Sequence, residues 1–299
     1  MYDSFNRLIT GLRISLTQRC NLNCKYCHHE GEFQVSKEMT KEEVLRIVRI
    51  AHLLGIKRVK YTGGEPLLRK DLVDIIKGSI EMGFEDVAIT TNGSLLKGKS
   101  EALFKAGLRR INISLPSLDP KIYFDITGGD INKAISGIYD AISNGIKVKI
   151  NVVLMRGINE NELLKFIDFV SSIGGSLQLI ELEKLNLDDE FFNKHYLSLS
   201  SVEPLLNNMA ERVIVREDMN SRRIYVINNT SVEVVCPTTA DFCMRCSRIR
   251  ITSDGKIKPC LMRWDNCVDI LEPMRKGATD EELKRIFIKA ILLRSPYYK

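Results

Sequence analysis

The strongest constraint on this chain is a pattern repeated through its first two thirds. A short β-branched run is followed by a loop and then by an amphipathic helix that ends near a glycine. The strand segments are 12–16, 58–61, 86–90, 110–115, 147–154 and 176–182. The helices between them are expected to stop near Gly55, Gly83, Gly107, Gly145 and Gly174, where a residue without a Cβ can adopt the left-handed cap. Thr40 followed by Glu43 predicts a capping box on the first helix. Strands alternating with helices imply a parallel sheet with helical crossovers, and strands this apolar are covered on both faces. Periodicity leaves both an open sheet and a barrel standing. No G-x-G-x-x-G follows the first strand, which disfavours a dinucleotide fold. In either architecture ligands gather at the carboxyl ends of the strands. There the sequence places a cysteine loop, then Gly63-Gly64-Glu65-Pro66, then Thr91-Asn92-Gly93.

From about residue 184 the pattern weakens. Residues 186–201 read as a polar and aromatic connection, 202–209 as a short helix, and 213–215, 224–227 and 232–235 as strand-like runs. A last helix opens at Thr279, with Glu282 completing a second capping box, and runs to about Leu293. The expected division is 1–184 for the repeated βα units and 185–299 for a C-terminal region. A chain of 299 residues can bury one large core with an appended part. With 44% hydrophobic and 27% charged residues, no apolar run near membrane-span length and no secretory signal, the expectation is a cytoplasmic protein without a membrane partner. The net charge of +6 is dispersed, so it does not call for nucleic acid, and it suits a small anionic ligand.

Six of the eight cysteines fall into two triplets. Cys20-x3-Cys24-x2-Cys27 puts three thiols on one loop. Three thiolates on a cubane iron–sulfur cluster leave one iron free to bind a small molecule. The alternative is zinc, with His28 or His29 completing the set. Adjacent glycines one βα unit later favour the cluster, because they let backbone approach a ligand closely, and Glu65 is expected to accept a hydrogen bond from a ligand ammonium. The second triplet, Cys243-x2-Cys246-x13-Cys260, again leaves a corner free, the alternative being a zinc ribbon closed by Cys236 or Cys267. Cys236 follows a strand-like run and reads as a small buried hydrophobe, Cys267 as an idle thiol. Arg248 and Arg250 alternate, so on a strand they share a face, and guanidinium forks suit phosphate.

The loop from Cys20 to Cys27, with Tyr26 before its last cysteine, together with Gly63-Gly64-Glu65-Pro66, resembles the radical S-adenosylmethionine (SAM) superfamily. The second block, F-C-x2-C-x-R-x-R followed by Asp254-Gly255 and Cys260-Leu261, is similar to the GTP 3′,8-cyclase family of molybdenum cofactor biosynthesis. So are Leu12-Arg13-Ile14-Ser15, the stretch 62–69, Thr90-Thr91-Asn92-Gly93, and the stretches 107–115 and 147–153. The resemblance implies an α/β fold, a partial (β/α)6 barrel of TIM type, with a C-terminal region carrying a second cluster. It implies two [4Fe-4S] clusters, each on three cysteines, with SAM on the open iron of the first. It implies SAM contacts at Tyr26, Gly64 and Ser114, and GTP contacts at Arg13, Lys60, Thr90, Lys149, Arg248, Ile249 and Arg250. The activity implied is the radical conversion of GTP to 3′,8-cyclo-7,8-dihydro-GTP. An electron donor of flavodoxin or ferredoxin type and a downstream cyclic pyranopterin monophosphate synthase are implied as partners, with a homodimer left open. Competing readings are another two-cluster radical SAM enzyme, such as one acting on peptides, and a non-catalytic zinc protein. The sequence departs from the family at Lys60, where arginine is usual, at Glu183, where a methionine commonly meets SAM, and at His28-His29-Glu30-Gly31, where many members have Met-Pro. It also ends Ser295-Pro296-Tyr297-Tyr298-Lys299 where many members end Gly-Gly.

Overall fold

A computed structural model describes residues 1–32, 37–216, 222–237 and 239–297. Six strands, β1 (Gly11–Ser15), β2 (Arg58–Thr62), β3 (Asp86–Thr91), β4 (Arg110–Ser114), β5 (Lys147–Leu154) and β6 (Ser176–Glu181), pair side by side in sequence order, all parallel. Consecutive order is the winding of a barrel, not of a doubly wound sheet, whose strand order reverses at a switch point. The sheet does not close. It continues at both edges into strands β7 (Arg212–Arg216), β8 (Arg222–Ile227), β9 (Thr230–Val235), β10 (Arg248–Ile251), β11 (Lys256–Lys258) and β12 (Val268–Asp269). The full order is β12-β11-β10-β1-β2-β3-β4-β5-β6-β9-β8-β7. Strand β10 runs parallel to β1 and β9 parallel to β6, so the C-terminal part prolongs the parallel sheet on both sides.

The helices between the first six strands are α1 (Lys41–Leu53), α2 (Leu72–Glu81), α3 (Ser100–Lys105), α4 (Pro120–Thr127), α5 (Ile131–Ser143) and α6 (Leu163–Ser172). Both capping boxes form: Thr40 with Glu43 opens α1, and Thr279 with Glu282 opens the last helix, Asp280–Leu292. The five expected glycines all take positive φ, from 62° at Gly174 to 101° at Gly107. Among the described residues four α-helices exceed the expectation, two of them Ala240–Met244 and Leu271–Arg275 in the C-terminal part. The fourth crossover holds both α4 and α5, because Gly128 closes the first and Asp130 caps the second. Within 186–201, Asp188 caps a helix over Asp189–His195, whose Phe191 and Phe192 pack on Met155 and Leu182.

One large core lies between the helices and the sheet and includes Ile14, Val59, Ile89, Ile111, Ile150, Leu179 and Ile249. Burying each such side chain is worth about 1.5–3 kcal/mol. The opposite face of the sheet is polar and lines a cavity. Among the described residues no helix is long and apolar enough to cross a membrane.

Candidate active site

Parallel pairing without stagger puts side chains at equal register on one face of the sheet. Arg250 of β10, Arg13 of β1 and Lys60 of β2 therefore form one row. Thr90 of β3, Asn112 of β4 and Lys149 of β5 form another. Both rows line a single cavity of about 600 Å³, together with Tyr26, Gly64, Ser114, Arg248 and the six cysteines of the two triplets. Ile249 is the exception among the expected contacts. Strand alternation turns its fully buried side chain into the core, so any contact it makes with a ligand is limited to main chain.

The first cysteine loop is held by backbone pairing that continues past β1 and β2. Leu16 N donates to Thr62 O at 2.9 Å, Gly64 N to Thr17 O at 2.6 Å, and Glu65 N to Arg19 O at 2.8 Å. So close an approach needs glycine, since a Cβ on Gly64 would lie 2.6 Å from the Arg19 carbonyl carbon and nearer still to its oxygen. Glu65 has a different task from the one expected. Its carboxylate is fully buried and accepts from Leu67 N at 2.9 Å, Thr91 Oγ1 at 2.7 Å and Asn92 N at 2.8 Å. These bonds tie the glycine loop to the end of β3 and leave the acid facing protein instead of a ligand amine. Asn92 in turn bonds Asn21 Oδ1 at 3.0 Å and lies 3.9 Å from Cys20 Sγ.

All three thiols of this loop are free. Burial raises the pKa of each, and at Cys24, where Cys27 and Cys20 add their repulsion, it reaches about 12. A metal or cluster binding to this triplet would have to displace these protons. Among the described residues, no three His, Cys, Asp or Glu side chains converge on the position of one metal ion. His28, a candidate zinc ligand, uses Nδ1 to accept the Glu30 N–H at 3.0 Å.

In the second triplet, Cys243 lies in the short helix Ala240–Met244, Cys246 in the turn before β10, and Cys260 just after β11. At Cys246, burial would raise the pKa, but Arg248 and Arg294 outweigh it and bring the thiol down to about 7. A thiol poised at neutral pH fits a cluster ligand. Cys236 and Cys267 are not on the cavity wall. Cys236 packs against the core, as a small apolar residue would.

Between the two cysteine blocks stands Glu30. Its carboxylate is 2.7 Å from Arg250 Nη1 and 3.7 Å from Arg13 Nη1, and it accepts Thr62 Oγ1 at 2.9 Å. Burial would raise its pKa, but Arg13 and then Arg250 hold it down at about 2. His29 and Glu30 both have positive φ, 49° and 51°, in the region L side chains rarely adopt. Such strain persists only where the surroundings over-determine it, and here the ion pairs do so. On β9, Glu233 is 3% exposed and faces Lys149 at 2.5 Å, Arg222 at 3.4 Å and Arg216 at 3.7 Å.

Residues 14–170 match the family model described as the Radical SAM superfamily, and residues 175–299 match Molybdenum Cofactor Synthesis C. Over its whole length the chain is 44% identical to a probable GTP 3′,8-cyclase of Thermococcus kodakarensis and 45% identical to one of Pyrococcus abyssi, covering 100% and 99% of those proteins. This chain belongs to the GTP 3′,8-cyclase family of the radical SAM superfamily. The radical SAM fold is also found in solved structures that are distant in sequence. Streptococcus suis SuiB bound to S-adenosylmethionine superposes with a TM-score of 0.65 at 17% identity, covering 99% of this chain and 72% of that one. The protein anSMEcpe with bound AdoMet does so with 0.58 at 14% identity, covering 91% and 82%.

The radical SAM reading of the sequence missed several residues of this cavity. Glu30 stood out only as a departure from the family. Its signal was an acid three residues beyond the last cysteine of a loop near several cations. Glu233 is not on the cavity wall but pairs with Lys149, Arg216 and Arg222, which are; it is the lone charge in its strand, which marks a buried, paired acid. Arg222 and Arg216 sit at the ends of strands the sequence bounded too tightly. Glu183, noted in place of a methionine, lines the cavity with a buried Oε2 that has no hydrogen-bond partner. The tail also reaches this wall without Gly-Gly: Ser295 and Tyr297 line it, and Tyr297 N donates to Cys243 Sγ at 3.1 Å. The last two residues lie outside the described ones.

Proposed function

We infer that this chain is a GTP 3′,8-cyclase, converting GTP to (8S)-3′,8-cyclo-7,8-dihydroguanosine 5′-triphosphate in the first step of molybdenum cofactor biosynthesis. The observation that carries the reading is that both thiol triplets and the row Arg250–Arg13–Lys60 line one cavity. A [4Fe-4S] cluster on Cys20, Cys24 and Cys27 with SAM on its open iron supplies, when bound, the radical chemistry at the ribose 3′ hydrogen. Cys243, Cys246 and Cys260 are proposed to hold a second cluster. Tyr26, Gly64 and Ser114 are the proposed SAM contacts. Arg13, Lys60, Thr90, Lys149, Arg248 and Arg250, with the main chain of Ile249, are the proposed GTP contacts. Their task is positioning and charge compensation: a triphosphate set against several fixed cations keeps ribose and base in one pose. Residues 1–184 thereby carry the SAM side and four of the proposed GTP contacts, and 185–299 supply Arg248, Ile249 and Arg250. The reading brings with it a cytoplasmic location, a flavodoxin- or ferredoxin-type donor, and a cyclic pyranopterin monophosphate synthase to take the product. The direct test is anaerobic reconstitution followed by reductant, SAM and GTP. Formation of 5′-deoxyadenosine and a fluorescent pterin after oxidation is expected, and SAM cleavage with GTP untouched would remove the substrate assignment.

Two further outcomes are expected. Arg250→Ala should weaken GTP binding by about 10- to 100-fold, the loss of a charge-assisted bond, and SAM binding far less. Equal losses for both ligands would contradict its role. Lys60 has no ion pair or hydrogen bond among the described residues. Burial, then Arg13, Arg110, Arg222 and Lys149, hold its pKa well below the ordinary lysine value. An arriving phosphate favours the ammonium, so GTP binding should take up protons at any pH where Lys60 of the free protein is neutral. The calorimetric binding enthalpy should then depend on the buffer's ionisation enthalpy, and Lys60→Met should lessen that dependence.

A further inference from the structure

The second cysteine triplet comes from two separate segments of the C-terminal region, Cys243–Cys246 and the stretch that leads into Cys260, and a buried charge network reaches both. Asp3, Arg7 and Arg294 have side-chain exposures of 0%, 5% and 2%. Asp3 Oδ2 accepts from Arg7 Nε at 2.8 Å and Arg294 Nη1 at 2.6 Å, while Oδ1 accepts the main-chain N–H groups of Phe5 and Arg7, both at 2.9 Å. The carboxylate is thus saturated. The guanidinium nitrogens left over point at carbonyls. Arg7 Nη1 donates to Cys243 O at 3.0 Å, and Arg294 Nη2 to Cys246 O at 2.8 Å. Arg294 Nε donates to Pro259 O at 3.4 Å, on the residue before Cys260.

We propose that the Arg7–Asp3–Arg294 triad is the device that sets the spacing of Cys243, Cys246 and Cys260 for their cluster. The proposal rests on the reading of these cysteines as cluster ligands and adds what positions them. A buried ionic triad is poor evidence of stability, since well-packed apolar residues often serve as well or better. Apolar residues cannot donate to three carbonyls on two separate segments. The planar forks of the two arginines can, and Asp3 fixes both forks relative to each other. The triad also carries one positive charge in excess beside sulfurs that must be thiolates when the cluster is bound. Outer partners of this kind commonly change metal affinity by about 10- to 100-fold when removed.

The test uses the full chain, reconstituted anaerobically, as wild type, Arg294→Lys and Asp3→Asn. Lysine keeps the charge opposite Asp3 but loses the fork, and so is the milder change if Asp3→Asn fails to fold. Iron content, release of iron to a chelator, and SAM cleavage without GTP are measured on each. Wild type should hold about eight irons, four per cubane. Arg294→Lys should cleave SAM at close to the wild-type rate, showing an intact fold and first site. It should lose about half its iron to chelator at least tenfold faster. Iron release at the wild-type rate from Arg294→Lys overturns the proposal. If wild type itself holds only about four irons, the cluster reading beneath it falls instead. Cys243→Ala supplies the pattern expected when the second cluster is lost outright.

Discussion

Alanine at Gly64 is expected to cut SAM cleavage by about 100-fold, the scale of effect that a displacement near 1 Å has on a positioned reaction. The added Cβ would overlap the Arg19 carbonyl, and that carbonyl belongs to the residue before Cys20. Neither side yields easily. Glu65 N is bonded to the same carbonyl, and the Glu65 carboxylate is itself held by Leu67 N in the turn that follows and by Thr91 and Asn92 at the end of β3. The overlap therefore pushes the cysteine loop outward. Overpacking of this kind costs about 1–3 kcal/mol, so the chain should remain folded. Rates of 5′-deoxyadenosine formation, with iron content measured alongside, check the expectation. Wild-type rates in Gly64→Ala would mean that the loop does not need this close approach.

Glu30→Gln should destabilise the cluster-free protein by about 3 kcal/mol at neutral pH, the worth of holding a carboxyl at about 2 against its ordinary 4.5. The group's pKa is depressed on folding. Its stabilisation is therefore complete above pH 4.5 and is lost as pH falls toward 2, where the wild-type acid becomes neutral like the glutamine. Urea midpoints for the two proteins should be well separated at pH 7 and draw together as pH falls from 4.5 toward 2. A gap that stays constant over that window would show that Glu30 acts through something other than its charge. Removing it leaves Arg13 and Arg250 facing each other with no anion between them, which is the expected source of the loss.

How much of this was legible in the sequence follows from the range of each interaction. Strands β1 to β6 and their glycine caps were readable because each depends on residues within a few positions. The pairing of β10 with β1 was not, although the alternation of Arg248 and Arg250 already implied a strand. Nothing local to β10 specifies which edge it joins. The cysteine triplets were readable as motifs, whereas the three protein partners of Glu65 were not. A carboxylate after two glycines looks available in sequence, and only the fold brings Thr91 and Asn92 within reach of it. Glu30 and the Asp3 triad were missed for the same reason. Beside the near partners Arg13 and Arg7, each has a partner more than two hundred positions away, at Arg250 and Arg294.

The placement of β10 beside β1 has a consequence for how the protein is made. Arg13 and Arg250 are register partners across 237 positions of chain. At about 5–20 residues per second, a ribosome needs roughly 12–50 seconds between one and the other. Throughout that interval the outer edge of the first strand synthesised has no neighbour, and an exposed strand edge is a template for pairing with another chain. Cells producing this protein must shield the nascent edge or translate past it quickly, and overexpression that outruns either safeguard should collect in inclusion bodies.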